Sequence, residues 1–350
     1  MNADPKSQKP KLLKTVPCDR QLFSARFSPC GQFLASGAMD RAVMRWRVAD
    51  NDLLPLPPVT GGNGWVQSIA FHPAEKLLFV SDSWGRLACT PVEGDAPAVK
   101  WEQTAAHDGT IRRIAVSSDG KLLATCSADS FVRVWNAADG SPAAKFEHTS
   151  DVFSLTFTPD NSQIIFGDMF GKVFALDFAA GKTVREFDGG LFYKLSRLQD
   201  VAGLRVLTFI DNGRTLVAAG CQPEGGGFLE GAPLLLQFDF NTGQRISETR
   251  FGAKDGFIHD LTLHPQGYFI AVTSGQPGSG KIIFLRPQEK EPFFTHSDIP
   301  NLHAVALHPD GCRFVVTSTN RESNGNGRQL TKDGQYPANS SPLHLFEIPA

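Results

Sequence analysis

The stretch HDGTIRRIAVSSDGKLLATCSADSFVRVW, residues 107–135, decides the fold. It holds three short apolar segments. The first is 111–116, followed by the turn Ser117-Ser118-Asp119-Gly120, then Leu122-Leu123-Ala124-Thr125, then Val132-Arg133-Val134-Trp135. A fourth, Ala144-Lys145-Phe146-Glu147, follows a further turn. Short β-branched and aromatic runs bounded by Gly, Pro, Asp and Ser read as successive antiparallel strands.

The opening of this stretch recurs. An apolar residue, two variable ones, an apolar one, a small one and an aromatic or aliphatic one precede a Pro/Asp/Gly turn at 22–27, 66–71, 111–116, 152–157, 204–209, 258–263 and 302–307. The closing residues Phe27, Phe71, Val116, Phe157, Phe209, Leu263 and Leu307 fall 44, 45, 41, 52, 54 and 44 apart. A period of about 40–45 with four strands per unit indicates the blades of a β-propeller. One unit cannot bury both faces, so seven should form one cooperative ring. The predicted fold is all-β: a seven-bladed propeller of four-stranded antiparallel blades over 11–350, with a polar, disordered tail over 1–10. The last strand, 343–348, is only third in its unit. The strand-like Lys11-Leu12-Leu13-Lys14-Thr15-Val16 is therefore expected to complete the last blade and protect its edge.

Here the sequence resembles the WD40-repeat family. The unit at 107–135 carries the resemblance through His107, Thr125 or Ser127, Asp129 and Trp135, with Ser127 taken as the hydroxyl of the set. The resemblance implies a structural tetrad, a buried chain of tight-turn Asp, loop His, strand hydroxyl and indole N–H. Each such group left unsatisfied would cost about 1–3 kcal/mol. The first unit keeps Asp40 and Trp46 but has Cys18 in the His position. The fourth keeps His148 and has Leu176-Asp177 in the Trp-Asp position, and the other units are degenerate.

Composition limits the function. Lys plus Arg is 34 against Asp plus Glu 36, a net charge of −2, which argues against coating nucleic acid. No run of 18 apolar residues suggests a membrane span, and the polar start lacks a secretory core, so with Met1 as the natural start the chain is expected to be cytoplasmic. The six cysteines form no C-x-x-C pair and read as free thiols, and no cofactor or metal is expected. Gly275 to Lys281 matches G-x-x-x-x-G-K, but Ile282 replaces the hydroxyl residue and a strand follows, so the match is read as chance. The Asn339 sequon is read the same way.

Two features point to a binding face. Extra length lies in the loops 189–203, 221–232, 275–280 and 319–342, all on one face of units five to seven. Drift in tolerant loops is one reading, a partner-binding rim with Phe192, Tyr193 and Arg197 the other. The second is the column Phe23, Gln67, Arg112, Phe153, Arg205, His259 and His303, the second residue of each inner strand. The family resemblance places this column at the channel mouth, where it would meet partners. Arg and aromatic groups suit an acidic peptide, whereas ordinary water-satisfied channel lining is the plainer reading. Trp65 and Trp84 read either as blade-packing or as face residues, and packing is the favoured expectation. The function expected is a non-catalytic, monomeric protein-interaction scaffold. The alternative is a propeller enzyme, or a small-ligand or metal binder using the same face, with His259 and His303 as the nearest pair of ligands.

Overall fold

Strand propensity and turn residues give seven four-stranded antiparallel sheets and one separate two-stranded hairpin. The computed structural model describes residues 9–196, 198–224, 231–321, 333–334 and 340–349. In blade 3 the strands are Ile111–Val116, Leu122–Ser127, Phe131–Asn136 and Pro142–Glu147, hydrogen-bonded in chain order. Blades 2, 4, 5 and 6 repeat this order with inner strands Ser68–Phe71, Val152–Phe157, Leu204–Ile210 and Phe257–Leu263. Blade 1 is shorter at its inner edge than the repeat suggested. Only Arg26–Phe27 pairs regularly, above it stands the single bridge Leu22↔Ala38, and Ser24 Oγ accepts the Gly37 N–H at 3.1 Å.

The last blade closes as expected. Its strands Leu302–Leu307, Arg313–Ser318 and Leu343–Glu347 are completed by Lys11–Val16, in a register running from Lys11↔Glu347 to Val16↔Leu343. His344 ties this seam together. Its Nδ1 lies 3.1 Å from Thr15 Oγ1 of the N-terminal strand and its Nε2 lies 3.0 Å from Ser318 Oγ. The expected polar tail falls on residues 1–8, outside the described residues, apart from Lys9 and Pro10.

The core is not central. Apolar side chains gather in seven clusters, and each is shared by two neighbouring blades. Leu34, Trp46 and Leu53 of blade 1 pack with Ala304, Val315 and Leu345 of blade 7, so the ring joins by packing as well as by pairing. Arg45, wholly buried, adds a polar clamp: it donates to the carbonyls of Pro57 in blade 1 and of Val92 and Gly94 beyond it. On the lower face, His264 Nε2 donates to Gly311 O at 2.7 Å and His308 Nε2 to Gly31 O at 3.0 Å. For His264, Nδ1 accepts the Gln266 N–H, which fixes the neutral tautomer. Gly31 has φ +73°, and a Cβ there would stand 2.6 Å from His308 Nε2, so only glycine fits.

The tetrad of blade 3 forms with one correction. Asp129 accepts from His107 Nδ1 at 2.9 Å, His107 Nε2 meets Thr125 Oγ1 at 2.7 Å, and Trp135 Nε1 donates to Thr125 Oγ1 at 2.9 Å. The hydroxyl is thus Thr125, not Ser127. Thr125 pairs with Arg133, two residues from Trp135, whereas Ser127 lies one strand repeat further away, roughly 7 Å. Ser127 Oγ instead accepts the Asp129 N–H at 3.2 Å. Burial works to raise the Asp129 pKa, but His107 and the N–H groups of Asp108 and Phe131 outweigh it and hold it at about 2. In the fourth blade His148 Nε2 reaches Asp168 at 3.2 Å, which leaves Asp177 out of that pairing.

Three outcomes follow from this framework. Thr125→Val should lose about 2–4 kcal/mol, because it strands a buried imidazole and indole N–H, while Ser127→Ala should lose about 1 kcal/mol; denaturant melts of both variants measure the difference. Deleting residues 1–17 should lower Tm by roughly 5 °C or more, since it uncovers the edge of Leu343–Glu347; an unchanged melt would contradict the closure. Burial pushes His107 and His264 below the ordinary histidine range and His344 to about 4. The unfolded chain therefore binds protons first, and stability should fall as pH drops from about 6.5 toward 4. His344→Gln should flatten that decline, as scanning calorimetry across pH would show.

Candidate functional site

The second residue of the inner strand has a special backbone setting. In blades 3 to 7 the pairing skips Arg112, Phe153, Arg205, His259 and His303, each the extra residue of a β-bulge. A bulge takes a residue out of the ladder and re-aims its side chain. In blades 1 and 2 regular pairing begins below Phe23 and Gln67. The structure brings six of these seven side chains into one belt around the channel mouth. The Phe23 ring lies 6.5 Å from His303, and His303 lies 5.6 Å from His259. Phe257, 5.8 Å from His259, continues the belt beneath the Arg205 guanidinium at 4.2 Å. Phe153 then lies between Arg205, at 5.7 Å, and Arg112, at 4.0 Å. Gln67 stands in the remaining gap, in blade 2.

The two arginines differ in their partners. Arg112 pairs with Asp151 at 2.9 Å. Arg205 donates to the carbonyls of Ala202 and Leu204, and among the described residues no carboxylate lies within ion-pair reach of it. Burial, and then the Arg112 charge, push the Arg205 pKa down to about 10, so the cation is held without a counter-charge. The two histidines are neutral at pH 7. Burial drives His303 to about 4, and burial with the His303 and Arg205 fields drives His259 well below its usual range. The described residues contain no group of three or more His, Cys, Asp or Glu that could hold a metal ion.

The outlying loop residues do not behave alike. Phe192 is fully buried, not a rim residue. The turn Gly190–Phe192 folds its ring into the cluster between blades 4 and 5, with Phe187 and Leu204. Tyr193 is half-buried; its hydroxyl donates to Asp200 at 2.7 Å and its ring meets Phe170 at 5.1 Å. Arg197 lies outside the described residues, as do 225–230 and most of 319–342. What the insert at 189–203 builds is a projecting hairpin, Tyr193–Ser196 with Gln199–Ala202, which exposes Leu195 and, at its tip, Leu198 at 99%. Lys194 Nζ braces it by donating to Glu224 O, at the end of the long blade 5 strand Thr215–Pro223.

Trp65 and Trp84 also depart from expectation. They are 47% and 72% exposed on the same face, beside the belt, with Trp65 6.5 Å from Phe23. Two hydrogen bonds, Trp65 N–H to Ser83 Oγ and Ser83 N–H to Trp65 O, lock their loops together. The sequence carries a signal for this. Asp82-Ser-Trp-Gly85 and Asp168-Met-Phe-Gly171 are equivalent tight turns. Each Asp accepts the N–H of the aromatic, which leaves Trp84 and Phe170 pointing outward.

Comparison with known proteins agrees with this architecture. The family model described as "WD domain, G-beta repeat" matches residues 10–47 and 101–136. A potato protein named guanine nucleotide-binding protein subunit beta is 25% identical over 233 residues, 59% of each chain. The fission-yeast target of rapamycin complex subunit wat1 is 25% identical over 154 residues, 44% of this chain and 48% of its own. A Neosartorya fischeri eukaryotic translation initiation factor 3 subunit I is 28% identical over 188 residues, 51% of this chain and 52% of its own. The chain thus spans roughly half to three-fifths of the length of these relatives. With the two matched repeats, the Asp129–His107–Thr125–Trp135 tetrad and the closed seven-bladed ring, the chain is a WD40-repeat β-propeller protein.

Proposed function

We propose that this propeller is a non-catalytic interaction scaffold whose loop-rich face and channel mouth receive an acidic segment of a protein partner. The observation that carries this reading is Arg205. Its guanidinium lies near the rings of Phe153 and Phe257 and, among the described residues, is bonded only to carbonyl oxygens. A carboxylate arriving there would supply the missing counter-charge, and stacked Arg favours such bidentate acceptors. Exposed Trp65 and Trp84 beside the belt offer the rigid aromatic area typical of interface anchors. The relatives' names include complex subunits, which supports a role in assembly. The protein is proposed to act in the cytoplasm, as a monomer outside its complex.

The test uses acidic peptide arrays and affinity capture from the source cells. Wild-type protein should select Asp/Glu-rich peptides, and binding should weaken with salt. Arg205→Glu should reduce affinity about 10- to 100-fold and Trp84→Ala about tenfold, with the melting temperature unchanged. Selection indifferent to peptide charge, or an Arg205→Glu variant that captures as wild type does, would contradict the reading.

A further inference from the structure

Below the mouth, the channel rows have a simple rule with three exceptions. The third residues of the inner strands are Ser24, Ser68, Ser154 and Ala304, with Val206, and the fifth residues are Ala70, Ala115, Thr156, Thr208, Thr262 and Ala306. Small groups suit positions that face one another across a narrow channel. The exceptions are Arg113 and Asp260 in the third row and Arg26 in the fifth. They come from blades 3, 6 and 1, which are not neighbours, and they meet.

Asp260 is buried. Its carboxylate accepts the N–H groups of Leu261 and, in the next blade, Val305. Ser68 does the same for Ile114, so this acceptor role is the ordinary one of the row. What is added is the arginine pair. Arg26 binds Asp260 through Nη1 at 2.7 Å and Nη2 at 3.3 Å. Arg113 Nη2 stands 3.9 Å from the same carboxylate, outside hydrogen-bond reach. Two guanidinium groups thus face one carboxylate, and one unit of positive charge is left inside the channel. Burial and the Arg26 charge both weigh against the protonated Arg113.

Space is present where that charge points. Two cavities of about 360 and 260 Å³ lie in the lower half of the channel, and both are lined by Arg26, Phe27 and Arg113. Neither lining includes a carboxylate, while Ser117 and Ser118 line one and Thr208 and Thr262 the other. We infer that the lower channel is a binding site for a small oxyanion of the phosphate class, inorganic phosphate or a compact phosphomonoester, seated on Arg113 and Arg26. Two guanidinium groups arriving from separate blades match the several oxygens of a tetrahedral anion better than the flat pair of a carboxylate. This site lies below the mouth and does not depend on the acidic-segment reading.

The experiment titrates inorganic phosphate, acetate and chloride at matched ionic strength into the full chain by calorimetry, with thermal shift alongside. Phosphate should bind saturably at one site and acetate at least tenfold more weakly. Arg113→Gln should weaken phosphate binding about 10- to 100-fold, with Arg113→Lys recovering part of it. Asp260→Asn should tighten it, since the competing carboxylate charge is removed. Arg205→Glu, at the mouth, should bind phosphate like wild type. Each variant's melt without phosphate reports its fold. Absence of saturable phosphate binding, an acetate preference, wild-type binding by folded Arg113→Gln, or loss through Arg205→Glu would overturn the inference.

Discussion

No blade of this protein buries its own faces, and the rest of the structure depends on that constraint. The apolar clusters are all interfaces between neighbours, including Trp46 and Leu53 against Leu343 and Leu345 where the ring meets itself. Burial at about 25 cal/mol per Å² is therefore realised only when each blade has two partners. An open array would leave one face of blade 1 and one of blade 7 in water; the cluster joining these two blades covers those faces, and Lys11–Val16 covers the edge of Leu343–Glu347. Buried polar groups reinforce the same joints. Arg45 binds carbonyls of two blades, His264 and His308 each reach a glycine carbonyl of the following blade, and His344 joins the closing strand.

Closure matters for function because it immobilises the residues around the channel. A bulge at the same height in five blades turns one side chain per blade out of its ladder, and the ring sets those side chains beside one another. The result is a belt of alternating rings and cations whose geometry is fixed before any ligand arrives, which lowers the ordering cost of binding. Charge is divided along the channel axis. Arg205 has no carboxylate partner at the mouth among the described residues, and the Arg26–Asp260–Arg113 group carries a second excess below it. A chain of net charge −2 thus concentrates positive charge in its channel.

Much of this was legible in the residues. Period, turn chemistry and the third-strand position of the last segment were enough for seven blades and for closure by Lys11–Val16, because these depend on local pattern and edge satisfaction. The second-position column was also readable, since the repeat aligns it. Choices of one residue among near neighbours were not. Thr125 and Ser127 share a face of one strand, and only the register against Trp135 separates them. Phe192 and Trp84 exchanged roles for a similar reason. Both are aromatics in turns, and whether the ring folds inward depends on the short turn at Gly190–Phe192 in one case and the Asp82 tight turn in the other. The Arg26–Asp260–Arg113 group joins residues up to 234 positions apart and leaves no local signature; it stands out only once the inner strands are stacked row by row.

The measurement that most directly tests the account is native-state hydrogen exchange along the closing seam. The Lys11–Val16 amides that donate to Leu343–Glu347 should exchange as slowly as those of Leu343–Glu347 itself, because the two strands form one ladder and open together. Rapid exchange of those 11–16 amides beside a protected 343–347 would mean that the N-terminal strand does not close the ring.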